Sequence, residues 1–149
     1  MTQRMDYNAA TPAGVKALGG VYGHIMQSGL PKALVNLVYL RVSQINGCAY
    51  CIDMHSRDLL QEGMTIEKLV LVPAWREGGA LFDDTERAAL AWAETVTRVA
   101  ETGVPDAEYE AAECPTEKAS HTEEAANSPD VGHCRVAAEQ FSQCRPQNE

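Results

Sequence analysis

The chain has 149 residues, 45% of them hydrophobic and 22% charged, which suits one domain with a single core. A formal charge of -9 excludes the basic surface that nucleic acid or an anionic membrane would require. No apolar run approaches the roughly 20 residues of a membrane-spanning helix.

The N-terminus, MTQRMDYNAATPAG, lacks the basic start, apolar centre and cleavage site of a secretory signal. A cytoplasmic location is the resulting expectation. Thr11-Pro12 suits a helix start, with Thr as N-cap and Pro at the first helical position. That helix is weakened by Gly19 and Gly20 and stops at Gly29. His24, on this weak helix, reads as structural or exposed.

Pro31 opens a stronger helix in which Leu34, Leu37, Val38 and Ile45 recur near helical spacing. Arg41 and Gln44 are expected on or beside its solvent face. Asn46-Gly47 breaks it, since both residues tolerate a left-handed turn. A third helix is expected from Cys48 or just after to Gly63. Thr65 caps a fourth, IEKLVLVPAWRE, which Pro73 should kink or shorten. Arg76-Glu77 reads as a surface ion pair. Asp83 and Glu86 resemble a capping box ahead of a helix with the apolar stripe Ala89, Trp92, Ala93, Val96, Val99 and Ala100. Gly103-Val104-Pro105 should end it, before a short helical stretch, DAEYEAAE.

From Cys114 to Glu149 the chain contains no Leu, Ile, Met, Trp or Tyr. Ordering costs about 1–2 kcal/mol per residue, so this segment is expected to be a disordered tail. The expected organisation is therefore an all-α domain over 1–113 and a polar tail over 114–149.

Five cysteines (48, 51, 114, 134 and 144) are an odd number, better suited to reactive or metal-binding thiols than to a disulfide framework. The run NGCAYCIDMH places Cys48 and Cys51 three residues apart at a helix start. There the macrodipole and free N–H groups favour thiolate. His55 falls one turn beyond Cys51 on the same face and can take or return a proton. The residues alone thus give a redox-type thiol pair with a base. A zinc site is the main rival, with Cys48, Cys51 and His55 joined by Cys114, Cys134, His121 or His133. Tyr50 either shapes the thiol pocket or is a surface aromatic. No phosphate loop, GxSxG elbow or HExxH motif is present, so no cofactor is expected.

The run LVYLRVSQINGCAYCIDMHSRDLL, with AWREGG and DDTERAALAWAETVT, resembles the alkylhydroperoxidase D-like branch of the carboxymuconolactone decarboxylase family across approximately residues 10–113. The resemblance implies a compact all-helical, oligomeric protein that acts as a thiol peroxidase or recharges a peroxiredoxin. Its substrate would be a small peroxide and its electron donor a peroxiredoxin or other dithiol. It also implies that Cys48 and Cys51 are the redox pair and His55 the proton-relay histidine. The alternative function is a non-catalytic helical oligomer of this fold that binds zinc or a partner. The lactone decarboxylation behind the family's name ranks third, since that reaction does not call for a dithiol.

Two departures stand out. Peroxidase members carry a glutamate twelve residues before the first cysteine, where this chain has Asn36. If the helices on either side of Asn46-Gly47 fold back on each other, Asn36 and His55 lie about 15 Å and about 12 Å from the turn. Asn36 would then face His55 without a charge to offer, weakening activity, and Asp58 is a partial substitute. The second departure is the tail, where a further apolar helix is expected. A frameshift in the gene near Glu113 is one explanation.

Overall fold

A computed structural model of the chain describes residues 5–112. The expected boundary at 113/114, the expected disorder or frameshift of the tail, and the zinc-ligand candidates Cys114, His121, His133 and Cys134 all lie outside the described residues.

The order of elements follows local sequence signals closely. A turn of helix, α1 (Tyr7–Ala10), precedes α2 (Pro12–Met26), which starts on Pro12 although the Thr11 side chain makes no capping bond. Gly29 takes φ 90° and separates α2 from α3 (Lys32–Asn46). After α4 (Ala49–Gln61), Thr65 caps α5 (Ile66–Leu71) by accepting from the Lys68 N–H. Pro73 then tightens the chain into 3-10 turns at Val72–Glu77 and Gly79–Leu81. The Asp83–Glu86 capping box opens α6 (Asp84–Thr97) with both reciprocal hydrogen bonds formed. Short helices α7 (Val99–Thr102) and α8 (Asp106–Ala112) complete the described chain. The fold is all-α.

The core sits where α3 packs against α4 on one side and α6 on the other, roofed by the 3-10 segment. Leu37, Leu40, Leu59, Val72, Trp75, Phe82 and Leu90 form it, all nearly inaccessible to solvent. The Trp92 ring meets Tyr109 edge-on, with centroids 5.6 Å apart, which ties α8 to α6. By contrast α2 buries no residue, and Leu18, Val21 and Tyr22 are exposed.

Three expectations are corrected. The apolar stripe was expected to continue through Ala100, but α6 ends at Thr97 and leaves Val99 and Ala100 exposed. Hydroxyls intervene there: Thr97 Oγ1 donates to the Ala93 carbonyl at 2.6 Å and Thr102 Oγ1 to the Thr95 carbonyl at 2.8 Å. Such bonds, in a β-branched run, compete with the helix ladder. Arg41 does not lie on a solvent face. It pairs at 2.7 Å with buried Glu94. Arg76 likewise pairs with Glu94, rather than forming the expected surface pair with Glu77.

Glu94 therefore joins three elements, because Trp75 Nε1 also donates to it at 3.0 Å. Burial raises its pKa, but hydrogen bonds from Trp75, Arg76 and Arg41 outweigh this and hold the carboxyl below its ordinary 4.5. The stabilisation is fully present above pH 4.5 and is lost as pH falls through the lower folded value. Glu94→Ala strands the Arg41 charge and should cost about 3–5 kcal/mol in urea unfolding at pH 7. A loss within 0.5 kcal/mol, the scale of ordinary surface substitutions, would show that the cluster does not support the fold.

Candidate functional site

The site is built by the turn between α3 and α4. Gly47 takes the left-handed conformation (φ 67°, ψ 28°), which costs glycine nothing because it has no Cβ. Its N–H reaches the Gln44 carbonyl at 3.3 Å and the Cys48 N–H reaches that of Ser43 at 3.0 Å, closing α3 in a Schellman arrangement. Cys48 is thereby placed as the N-cap of α4, and its Sγ accepts from the Cys51 N–H at 3.4 Å. An N-capping sulfur feels the positive end of the helix and the Cys51 N–H, which both favour a thiolate.

Cys48 and Cys51 are joined as a disulfide, with Cα atoms 5.4 Å apart. Both residues are half-buried. Tyr50 between them is 76% exposed.

His55, one turn beyond Cys51, is buried. Its ring stacks on Tyr39 of α3, with centroids 5.2 Å apart and planes 12° from parallel. Across the helix pair, His55 Nδ1 lies 3.1 Å from Asn36 Oδ1. The amide Nδ2 of Asn36 donates to both carboxylate oxygens of Glu62, at 3.1 and 3.3 Å. A carboxylate only accepts, so the amide nitrogen belongs on the Glu62 side and the oxygen on the His55 side. The oxygen in turn only accepts, so His55 Nδ1 carries the proton and Nε2 holds the basic lone pair.

The structure thus brings Asn36 to His55 and adds a carboxylate to the set. That carboxylate is Glu62, bonded to Asn36, while Asp58 raises the His55 pKa through its charge from the same helix. Glu62 stands seven residues after His55, two turns on, so helical spacing alone put both on one face of α4. Among the described residues, no group of three or more His, Cys, Asp or Glu is arranged to hold a metal ion.

Comparison with known proteins places this fold. The carboxymuconolactone decarboxylase family model matches residues 12–95. The chain belongs to that family. It is 36% identical to the uncharacterized protein YdfG of Bacillus subtilis over 109 residues, covering 73% of this chain and 74% of YdfG. A shorter match, 42% identical over 45 residues, is to the alkyl hydroperoxide reductase AhpD of Corynebacterium aurimucosum and covers 30% of this chain and 25% of that protein. A crystal structure from Agrobacterium tumefaciens, of unknown function and provisionally named an AhpD antioxidant-defence protein, superposes with a TM-score of 0.71 at 32% identity. It covers 94% of this chain and 88% of that one. Within the family, the likeness is to the alkylhydroperoxidase D-like branch.

Burial pushes the His55 pKa below the ordinary 6.5, with the Asp58 charge opposing in part. A buried neutral imidazole stabilises the fold fully above pH 6.5, and that contribution is lost as pH falls through the lower folded value. An NMR titration should therefore place His55 below 6.5. A midpoint above it would mean that the nearby carboxylates outweigh burial.

Proposed function

We propose that the chain is a dithiol peroxidase, or a reductase that recharges a peroxiredoxin, working through Cys48, Cys51 and His55 in the helical domain over 1–113. The observation that carries this reading is the Cys48–Cys51 pair at the start of α4, with a buried neutral imidazole one turn on. The family likeness supports it.

In the reduced protein, the Cys51 thiolate attacks the terminal oxygen of a peroxide. A sulfur–oxygen bond forms, the O–O bond breaks, and the departing alkoxide or hydroxide takes a proton. His55 removes the proton from the Cys51 thiol and returns it to that leaving oxygen. The Cys48 thiol then displaces water from the Cys51 sulfenic acid, giving the disulfide. The balance is two thiols and one peroxide to one disulfide, one alcohol and one water. A dithiol donor of the peroxiredoxin or low-molecular-weight class returns the disulfide to thiols.

Cys51 is assigned the attack because His55 is its helical neighbour, while the N-cap position suits Cys48 as the thiolate that leaves when the disulfide is reduced. Assembly into oligomers belongs to the same reading. The exposed apolar residues Leu18, Val21 and Tyr22 of α2 are the face a second copy would cover. Light scattering should then give a multiple of the 16.2 kDa chain mass, and a monomer would remove assembly from the reading.

Trapping with a sulfenic-acid reagent tests the chemistry. Cys48→Ser should accumulate a sulfenic acid on Cys51 after hydrogen peroxide, whereas Cys51→Ser should accumulate none. His55→Gln should slow oxidation by about 10²-fold or more at pH 7. If Cys48 and Cys51 stay fully alkylatable after peroxide in the parent, and the one retained in each variant does too, the peroxidase reading fails.

A further inference from the structure

The Glu62 carboxylate has no role in the chemistry just described, yet its position is difficult to explain as helix architecture. It caps the C-terminal end of α4, where the macrodipole is negative and an acidic side chain is disfavoured. Glu62 itself is exposed, but its oxygens turn inward to Asn36, which is only 4% exposed. An amide buried this deeply needs partners for both ends, and His55 and Glu62 provide them.

We propose that Glu62 is a positioning residue, acting through Asn36 to lock His55 in the Nδ1–H tautomer and to stabilise its ring when Nε2 gains a proton. An asparagine cannot pass a proton on, so the chain His55–Asn36–Glu62 works by orientation and polarisation. The carboxylate draws the Asn36 N–H toward itself, which enriches Oδ1 as an acceptor for the His55 Nδ1–H. Without Glu62 the Asn36 amide is free to flip and present its nitrogen to Nδ1, favouring the tautomer whose proton sits on Nε2. That tautomer has no lone pair on Nε2 to receive a proton. A charge held at one remove by Glu62 thus stands in for the carboxylate that position 36 lacks.

The same geometry fixes what Asn36→Glu would do. A glutamate at 36 would face Glu62 across the distance now spanned by a hydrogen bond, and two carboxylates that close resist joint ionisation. The single substitution should therefore not raise activity, whereas Asn36→Glu combined with Glu62→Gln moves the charge inward without doubling it.

The inference rests on the dithiol reading for its consequence in turnover, but the His55 tautomer can be measured without turnover. Reduced protein with 15N-labelled histidine is compared as parent, Glu62→Gln and Glu62→Ala by ring-nitrogen NMR across pH. The expected parent spectrum is the Nδ1–H form. Glu62→Gln should lower the His55 pKa, because the charge behind Asn36 is lost, and Glu62→Ala should also bring in the Nε2–H form. Asp58, on the same helix, and Tyr39, stacked on the ring, are unchanged in every variant and serve as a constant background. Glu62→Ala should lower the melting temperature, because it leaves the buried Asn36 Nδ2 without its acceptor, while Glu62→Gln keeps an acceptor oxygen and should hold it; a purely structural Glu62 would give the same melting temperatures with the His55 tautomer and pKa unchanged. Hydrogen peroxide oxidation of the thiols should slow about tenfold in Glu62→Ala and recover in Asn36→Glu/Glu62→Gln. Unchanged His55 tautomer and pKa in both Glu62 variants would overturn the proposal. A shifted tautomer with thiols inert to peroxide in every form supports the positioning role and sinks only the peroxidase reading.

Discussion

The left-handed backbone at Gly47 is the constraint on which the rest of the site depends. It reverses the chain between α3 and α4 within one residue and leaves Cys48 as the N-cap of the second helix. A residue with a Cβ at that position would strain the turn by roughly 1–2 kcal/mol. Asn36 lies before the turn and His55 and Glu62 after it, so their hydrogen bonds depend on the path Gly47 gives the chain. One backbone conformation thus sets both the sulfur environment and the imidazole environment.

Helix α3 carries two polar functions on different sides. Asn36 points to α4, while Arg41, five residues on and about 140° around the helix, points to α6 and Glu94. The Arg41–Glu94 pair, reinforced by Arg76 and Trp75, fixes the α3–α6 side of the core. With that side fixed, α3 offers a firm wall against which α4 presents its chemistry. Tyr39 belongs to the same wall and covers the His55 ring by stacking. Burial then favours the neutral imidazole.

Much of this was legible in the residue order because its causes are local. The Asn46-Gly47 break, the capping box at Asp83 and Glu86, and the Pro73 interruption each arise from residues within a turn of one another. Glu94 shows the opposite case. Nothing beside it in sequence marks it as buried, since its partners lie 53, 19 and 18 residues away. Glu62 falls between the two. Its two-turn spacing from His55 was readable, but its contact with Asn36 spans 26 residues and needs the hairpin to close. The overextended reading of α6 failed through chemistry that an apolar stripe ignores, namely threonine hydroxyls bonding to the helix's own carbonyls.

The proposed function stands on the Cys48–Cys51 pair being a peroxide-reactive dithiol. The most direct test is a single-turnover titration of the reduced protein with hydrogen peroxide, counting peroxide consumed and thiols lost together. A peroxide-reactive dithiol consumes one peroxide per chain, loses two thiols and gains a bond between Cys48 and Cys51. Peroxide disappearing no faster than in buffer, with both thiols still reduced, would contradict it.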